Sequence, residues 1–333
     1  MADLVQVRKK IALLHRHQKD RIKETNAAYP FLEAKGIDVL TFKRFNRSNK
    51  FEVLWKSLAW IFYAPFLVLG KGYDVIYCDD SWPFYPAFVK LASPKSKLVL
   101  RIGDFHLMYH TWGIVYHILH FFEKMVWRMA DGILPISKTM GEFISNEVTI
   151  DNINVILDPV NPNDFPIEGF RNYGSVMFHG VLTRNKNVDI LIEAARLLPH
   201  ITFIIIGHGP DYDRLRSIAP FNVWFKGWIP FKQIHRYIAS CAVGVALRSD
   251  NPGNQYVVTS PFLQYGVMGK PCLVTRREVF GDYRWQFSDV KEMATKINLL
   301  MEQPEEGLKL REFVLKNHNA EQIAEEIWSR LSS

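Results

Sequence analysis

The sequence predicts an α/β protein built from two doubly wound domains. Short runs rich in Ile, Val and Leu alternate with segments whose apolar residues recur at helical spacing. This alternation occurs twice, and a stretch rich in Pro, Gly and Asn at residues 158–174 separates the two series. Apolar strands between helices are typical of buried parallel sheets. The 333 residues are enough for two domains of about 150 residues each.

The first series contains five strands and the helices between them. The predicted strands are Ile11–Leu14, Val39–Phe42, Asp74–Cys78, Lys97–Ile102 and Gly132–Ile136. The predicted helices cover residues 21–35, 51–69, 83–92, 108–130 and 138–147. Ser137 precedes the last of these helices, and we expect its hydroxyl to cap the helix by accepting a hydrogen bond from a free backbone N–H.

The second series begins after residue 174. Its predicted strands are Ser175–His179, Ile201–Ile206, Asn222–Phe225, Ala242–Ala246 and Pro271–Val274. Its predicted helices cover residues 187–198, 289–301 and 321–331. We therefore expect domains at residues 1–165 and 166–315, followed by a C-terminal helix at 316–333 that can cross back to the N-terminal domain. In such folds, ligands bind beyond the carboxyl ends of the strands.

Composition excludes several classes of protein. With 48% apolar and 23% charged residues, the chain is not of the disordered type. Cys78, Cys241 and Cys272 are far apart and form no CxxC pair, which argues against a disulfide framework or a cysteine zinc site. The longest apolar segment, Leu54–Leu69, contains Lys56 and Pro65 and is too short to span a membrane. The first residues contain no signal-peptide pattern, so we expect a cytoplasmic protein.

The positive charge is unevenly distributed. Residues 1–60 contain 13 Lys and Arg against 6 Asp and Glu, whereas the whole chain has a net charge of +7, so the remainder is neutral. An excess of this kind indicates an anionic partner such as a membrane surface, a nucleic acid or a phosphorylated substrate. A basic face that serves only solubility would leave the same pattern.

A glycine turn in the second series predicts a phosphate site. The segment that follows Phe178 turns at Gly180 and enters a helix near Asn187, with Arg184 and Lys186 just before it. A helix amino terminus beside cations suits a diphosphate, and glycine permits a close approach of the backbone. A tight turn with two exposed cations is the alternative interpretation.

Further motifs follow in order: Gly207-His208-Gly209-Pro210, then Phe225-Lys226-Gly227-Trp228, then Gln264 through Pro271. Together with Gly180 through Asn187, they resemble the donor domain of GT-B nucleotide-sugar glycosyltransferases, especially the family 4-like branch. This resemblance implies two Rossmann-like domains that face a central cleft, the N-terminal one for the acceptor and the C-terminal one for the nucleotide-sugar donor. The donor-binding residues that it implies are Gly180, Arg184, Lys186, Gly207, Gly209, Trp228, Tyr256, Ser260 and Gln264.

The sequence departs from the family pattern at three positions. Val181 stands at the position of the family's phosphate-binding Arg, and Arg184 can supply that cation. Gln264 and Tyr256 stand at the positions of the two glutamates on which many retaining members rely. The segment Leu263-Gln264-Tyr265 is similar to the xanthan-type glucuronosyltransferase branch, which inverts the anomeric configuration. Gln264 can still hydrogen-bond a ribose hydroxyl.

An inverting transfer needs a general base that deprotonates the acceptor hydroxyl. Asp104 is the leading candidate because it follows a predicted strand of the N-terminal domain, at the end expected to face the cleft. Asp79 and Asp80 follow the preceding strand and are weaker candidates, since an aspartate in that place often only forms a turn or caps a helix.

Four histidines are candidates for acceptor binding. His15 and His17 follow the first strand, and His106 and His110 follow Asp104. A histidine among aromatic residues is also a common core residue, so a packing role stays open for the second pair. We predict no cofactor and no metal ion, because Asp79 and Asp80 are adjacent and not spaced as in a DxD motif. Cations and helix ends would then stabilise the leaving diphosphate.

The acceptor is the least defined partner. The segments 51–69 and 114–129 are unusually apolar, which fits either a doubly covered core helix or a lipid-facing surface beside the basic residues. We therefore expect transfer from a nucleotide-sugar, UDP-linked by preference, to a lipid-linked or polysaccharide acceptor at the inner face of a membrane. The alternatives are a DNA-modifying glycosyltransferase and a non-catalytic sugar-nucleotide or carbohydrate-binding protein.

Overall fold

A computed structural model describes residues 9–15, 26–41, 50–79, 84–105, 107–108, 113–167 and 174–333. The chain divides into two compact units. The first unit consists of Met1–Asp158 together with Glu321–Ser333, and the second consists of Pro159–Ala320. Predicted features at His17, Asp80, His106 and His110 lie outside the described residues.

The first unit contains a five-stranded parallel sheet. Its strands are β1 (Ile11–His15), β2 (Asp38–Thr41), β3 (Val75–Asp79), β4 (Lys97–Ile102) and β5 (Gly132–Pro135). Its helices are α1 (Tyr29–Ala34), α2 (Lys50–Val68), α3 (Tyr85–Ala92), α4 (Gly113–Arg128) and α5 (Lys138–Glu147). The strand order is β2-β1-β3-β4-β5. As predicted, Ser137 caps α5 by accepting a hydrogen bond from the backbone N–H of Met140.

The direction of the crossovers assigns the helices to the two faces of this sheet. The connections from β2 to β3, β3 to β4 and β4 to β5 all move the same way across the sheet, whereas the connection from β1 to β2 moves the opposite way. Since parallel crossovers are right-handed, α2, α3 and α4 cover one face and α1 covers the other.

The second unit contains a six-stranded parallel sheet. Its strands are β6 (Val176–His179), β7 (Phe203–Ile206), β8 (Val223–Gly227), β9 (Val243–Ala246), β10 (Cys272–Thr275) and β11 (Gln286–Phe287). Its helices are α6 (Asp189–Leu197), α7 (Tyr212–Ile218), α8 (Phe231–Ser240), α9 (Ser260–Val267), α10 (Val290–Met301) and α11 (Glu305–Asn317). The strand order is β11-β10-β9-β6-β7-β8, and buried aliphatic and aromatic side chains fill both faces.

The predicted α/β class is confirmed, and most strand positions agree, with Lys97–Ile102 matching at both ends. The structure adds β11 and the helices α7, α8 and α11, which the sequence pattern did not reveal. β11 pairs along only two residues, which is too short for a recognisable alternation. The helix expected at residues 21–35 is described only as α1, from Tyr29 to Ala34.

The final helix, α12 (Ala320–Ser332), packs against the first unit. Its side chains Ile323, Ile327 and Leu331 are buried in one core cluster with Tyr29 and Leu32 of α1. This helix is therefore part of the hydrophobic core that covers the α1 face of the first sheet.

Shortening one of these side chains tests this packing. We expect Ile327→Val to lower the free energy of unfolding by about 0.5–1.5 kcal/mol, because removal of a buried methyl group leaves a cavity in the core. Urea denaturation measures the change, and Glu326→Gln on the exposed side of the same helix is the control. Equal stability of the two variants would show that α12 does not hold the first unit together.

Candidate functional site

Each sheet has one place where the chain order reverses, and this is where doubly wound folds bind ligands. In the second unit, the reversal lies between β6 and β9, because β7 and β8 continue on one side while β10 and β11 continue on the other. In the first unit, it lies between β1 and β3. The loops after β6 and β9 therefore form the first place to look for a ligand site.

The loops after β6 and β7 are held together backbone to backbone. The N–H of Gly180 donates to the carbonyl of Ile206, and the N–H of Leu182 donates to the carbonyl of His208. A Cβ atom at Gly207 would overlap the carbonyl oxygen of Gly180, and one at Gly209 would overlap that of Leu182. The sequence suggested that these glycines admit a ligand. The structure gives them a second role, which is to let the two loops touch.

The two candidate phosphate-binding cations lie in a short 3-10 helix, Arg184–Lys186, ahead of α6. The guanidinium of Arg184 is largely exposed, and its Nε lies 3.5 Å from a carboxylate oxygen of Asp211. Asp189, in the first turn of α6, is paired with Arg214. The turn itself, rather than the start of α6, therefore presents the cations.

Asn187 closes this turn with a φ of +49°, the left-handed region that favours glycine. Among the described residues, it is the one non-glycine with positive φ. An asparagine side chain tolerates this conformation better than most, so the turn is retained without glycine.

Replacing Asn187 tests the strain of the turn. We expect Asn187→Val to cost about 1–2 kcal/mol of stability, because a β-branched residue is poorly accommodated at positive φ. Asn187→Gly is the matched variant, and we expect it to remain close to the wild type. Thermal unfolding of the two proteins gives the comparison, and equal losses would contradict the conformational explanation.

A buried polar network joins this turn to the loop after β9. The side-chain amide of Asn254, which is fully buried, donates to Asn185 Oδ1 at 2.9 Å and to the carbonyl of Ser249 at 2.9 Å. Ser249 Oγ donates to the same Asn185 oxygen at 2.8 Å, and its N–H donates to the carbonyl of Asn185. Arg277 Nη2 also donates to the Ser249 carbonyl, at 2.6 Å. Asn185 lies between the two cations, so the network fixes the segment that carries them.

Helix α9 points its amino terminus toward the same edge. Thr259 precedes it without making a side-chain cap, and its hydroxyl is buried without a hydrogen-bond partner among the described residues. Ser260 and Gln264 are four residues apart and lie on one side of the helix, and Tyr256 ends the preceding 3-10 helix. Pro261 has no N–H, and the N–H of Phe262 donates to the carbonyl of Thr259, so the N–H of Ser260 and the positive end of the helix dipole are left to receive an anion.

His179 lies below these loops at the end of β6. Burial, helped by the nearby charge of Lys186, lowers its pKa to about 3, so the imidazole is neutral at physiological pH. Its ring contacts the ring of Tyr265 at 5.1 Å between centroids, and its Nε2 atom has no hydrogen-bond partner among the described residues. His179 is not among the residues predicted from the sequence, although a histidine at a strand end was a visible signal.

The structure groups the candidate donor-binding residues by loop. Gly180, Arg184 and Lys186 follow β6, Gly207 and Gly209 follow β7, and Tyr256, Ser260 and Gln264 follow β9. Trp228 follows β8, two strands away from β6, and its side chain is 66% exposed.

In the first unit, Asp79 and Asp104 differ sharply in environment. Asp79 is buried at the end of β3, where it accepts a hydrogen bond from the Asn26 amide and lies 3.5 Å from Arg101 Nε. Asp104 is half-buried two residues after β4, and its carboxylate accepts a hydrogen bond from the N–H of Phe105 at 3.0 Å. No ion pair to Asp104 is present among the described residues, so its carboxylate is the more available of the two.

Arg101 is a buried cation that sequence reasoning missed. Its Nη2 atom lies 3.1 Å from Asp158 and also donates to the carbonyl of Leu157, while its Nη1 donates to the carbonyl of Ile156. Burial lowers the pKa of Arg101, but the neighbouring Tyr77, Asp158 and Asp79 together outweigh burial and raise it. Burial raises the pKa of Asp158, although Arg101 opposes this shift. A charged residue within the apolar strand Lys97–Ile102 was the available signal.

His15 is the one described member of the four candidate acceptor histidines. It ends β1 and is largely buried beside the reversal point of the first sheet. Within the described ranges, no group of three His, Cys, Asp or Glu side chains is arranged to hold a metal ion. All three cysteines are buried and free.

Comparison with known proteins gives the class. Residues 184–329 match the family model described as glycosyl transferase-like. Anabaena HepE, crystallised with UDP and glucose, superposes with a TM-score of 0.72 at 16% identity, covering 98% of this chain and 100% of that one. Sucrose-phosphate synthase from Thermosynechococcus elongatus gives a TM-score of 0.75 at 14% identity, covering 97% and 98%.

The lipopolysaccharide outer core galactosyltransferase WaaB gives a TM-score of 0.64 at 14% identity and covers 97% of this chain and 100% of its own. None of the curated proteins matches the sequence. The two parallel sheets with their surrounding helices thus form the GT-B fold. The protein combines this fold with a glycosyltransferase-like domain over residues 184–329.

Proposed function

We propose that the protein is a metal-independent glycosyltransferase that moves a sugar from a UDP-sugar to a hydroxyl of a lipid-linked or polysaccharide acceptor. The observation that carries this proposal is the grouping at one sheet edge of the Arg184–Lys186 turn and the open amino terminus of α9. Both are suited to a diphosphate. The family match and the UDP complexes of HepE support the choice of donor.

In the proposed site, Arg184, Lys186 and the amino terminus of α9, through the N–H of Ser260, hold the diphosphate. Gln264 faces the ribose, because its amide can both donate to and accept from a hydroxyl. As the bond between the anomeric carbon and the diphosphate oxygen breaks, negative charge grows on the leaving group. The cations and the helix end offset this charge and are already in place before the reaction, so no reorganisation is needed.

Asp104 is the proposed general base of an inverting transfer. Its carboxylate would take the proton of the acceptor hydroxyl while that oxygen bonds to the anomeric carbon and the diphosphate leaves with the electron pair. The Asp104 carboxylate has no ion pair among the described residues, which supports this assignment, whereas Asp79 is occupied by Arg101 and Asn26. That the protein belongs to the family 4-like branch, and within it to the xanthan-type branch, also remains a prediction.

For the acceptor, we propose a pyrophosphate- or phosphate-bearing lipid, contacted by His15 together with His17, His106 and His110. Neutral or protonated imidazoles can donate hydrogen bonds to phosphate oxygens. Such an acceptor would place the protein at the inner face of a membrane. No helix within the described ranges is long and apolar enough to cross a bilayer.

A panel of UDP-, GDP- and ADP-sugars tests the donor. We expect a UDP-sugar to raise the melting temperature, because a ligand that binds only the folded state stabilises it by mass action. Lys186→Gln is expected to weaken this shift, and Lys232→Gln, on α8, is the control. The anomeric configuration of the product, read by NMR, then tests inversion. The absence of any shift across the panel would contradict nucleotide-sugar binding.

A further inference from the structure

Helices α2, α3 and α4 leave an unusually apolar outer surface, which we term the apolar layer. Its members are large side chains that are exposed to solvent although the helices are packed on the sheet. They are Leu58, Phe62, Tyr63, Phe66, Leu69, Phe88, Leu91, Ile114, Val115, Ile118, Phe121, Phe122 and Met125. Exposure reaches 69% at Phe66 and 74% at Ile114. Soluble monomers rarely expose apolar groups in such number on one face.

The apolar layer is continuous across α2 and α3 and is separate from the core. The rings of Phe62 and Phe88 lie 6.1 Å apart and join α2 to α3. On α2, Leu58, Phe62 and Phe66 recur every four residues, while Trp60, Ala64 and Val68 are buried on the opposite side. These helices therefore have two apolar sides, one that packs on the sheet and one that is exposed to solvent.

On α4, the exposed members of the layer also form one stripe. They recur at helical spacing from Ile114 through Ile118 and Phe121 to Met125. The opposite side of the helix, with Val126 and Trp127, is buried. Because α2, α3 and α4 cover the same face of the sheet, their outer sides face the same direction.

Charge identifies the occupant of this surface. Within residues 58–68, 85–92 and 113–128, the one carboxylate is Glu123, which is buried and hydrogen-bonded to His120 Nδ1 at 2.8 Å. The cations of the same segments are Lys90, Lys124 and Arg128. Lys90 pairs with Asp131 and Lys124 with Glu147, both outside these segments, whereas no ion pair to the exposed Arg128 is present among the described residues. The outer sides of the helices thus carry aromatic and aliphatic groups and a cation but no exposed carboxylate, which complements anionic lipid headgroups.

We propose that the apolar layer docks the first unit on an anionic lipid bilayer, with its aromatic side chains in the headgroup region. In parallel α/β units, the helices run against the strands, so α4 begins at the same sheet edge as Asp104. Docking through Ile114, Val115 and Ile118 would hold this edge beside the lipid. The proposal of docking depends only on the properties of the apolar layer. The inference that the bilayer also carries the acceptor rests on the proposed transfer reaction.

Vesicle flotation tests the docking with the full chain. We expect binding to vesicles of phosphatidylcholine with phosphatidylglycerol, weaker binding to phosphatidylcholine alone, and a decrease with added salt. The double variant Phe66→Ser/Phe121→Ser should reduce the partition coefficient at least tenfold. Phe221→Ser is the matched control, since this side chain is 83% exposed but belongs to the second unit.

Ile118→Asp is an independent variant that adds a carboxylate to the layer at a site already exposed, and we expect it to prevent binding. Both layer variants should keep the thermal shift with UDP-sugar, so a failure of docking is distinguishable from a failure of the proposed function. Unchanged flotation of the layer variants would overturn the proposal. So would a dimer, detected by light scattering, that the same substitutions dissociate.

Discussion

Substitution of Asp104 by asparagine is expected to lower kcat by 10²- to 10⁴-fold, the usual contribution of a general base. The amide preserves size and can still accept the hydrogen bond from Phe105, so the loop after β4 should keep its conformation. It cannot take up the proton of the acceptor hydroxyl. Donor binding should therefore persist, with a donor KM within about twofold of the wild type, because the donor residues lie in the second unit.

The control for this experiment is Asp151→Asn, which removes an exposed carboxylate of the same unit. Release of UDP and formation of the glycosylated product are measured together. Full transfer by the Asp104 variant would exclude it as the base. Nucleotide binding by the wild type without transfer to any acceptor or to water would favour the non-catalytic alternative.

Removal of the Asn254 side chain is the second large effect that we expect. Asn254→Ala removes one of two donors from Asn185 Oδ1 and one of two from the Ser249 carbonyl, because Ser249 Oγ and Arg277 still donate to them. We expect a loss of about 1–3 kcal/mol of stability, since each of the two lost hydrogen bonds contributes about 0.5–1.5 kcal/mol. Because Asn185 lies between Arg184 and Lys186, we also expect both cations to lose their fixed positions. Displacements of about 1 Å can cost on the order of 100-fold in catalytic efficiency.

A comparison of the donor KM with the acceptor KM distinguishes a loss of cation positioning from a general loss of stability. We expect the donor KM of the Asn254→Ala variant to rise by about 10- to 100-fold, well beyond any change in acceptor KM. Gln255→Ala, at the exposed neighbouring position, is the control. Partial rescue by Asn254→Ser, which restores one donor, would strengthen the interpretation. An unchanged donor KM at a temperature where the variant is fully folded would contradict it.

The fold was predictable because its signals are local. An apolar run such as Lys97–Ile102 between two helical patterns has few alternatives to a buried parallel strand, and Ser137 caps the helix that its sequence context indicates. β11 and helices such as α7 were missed, because β11 is only two residues long and α7 seven. Their existence depends on the rest of the second unit rather than on their own pattern.

The candidate site was predictable only in part. The order of the motifs indicated the loops after β6, β7 and β9. It did not indicate why Gly207 and Gly209 must be glycine, which is that a side chain there would overlap the carbonyls of the neighbouring loop. Asn254 lies 69 residues from Asn185, and Arg101 lies 57 residues from Asp158. Contacts over such separations leave no trace in one sequence, although a charged residue within an apolar strand does indicate a buried partner.

The return of α12 to the first unit has a consequence for biosynthesis. The ribosome produces the second unit, Pro159–Ala320, as one uninterrupted segment, whereas the first unit depends on residues that are made after it. The α1 face of the first sheet, including Tyr29 and Leu32, therefore lacks its cover of Ile323, Ile327 and Leu331 while the second unit is being made. During this time, the nascent chain carries an exposed apolar face that a holding chaperone can bind until α12 has been synthesised.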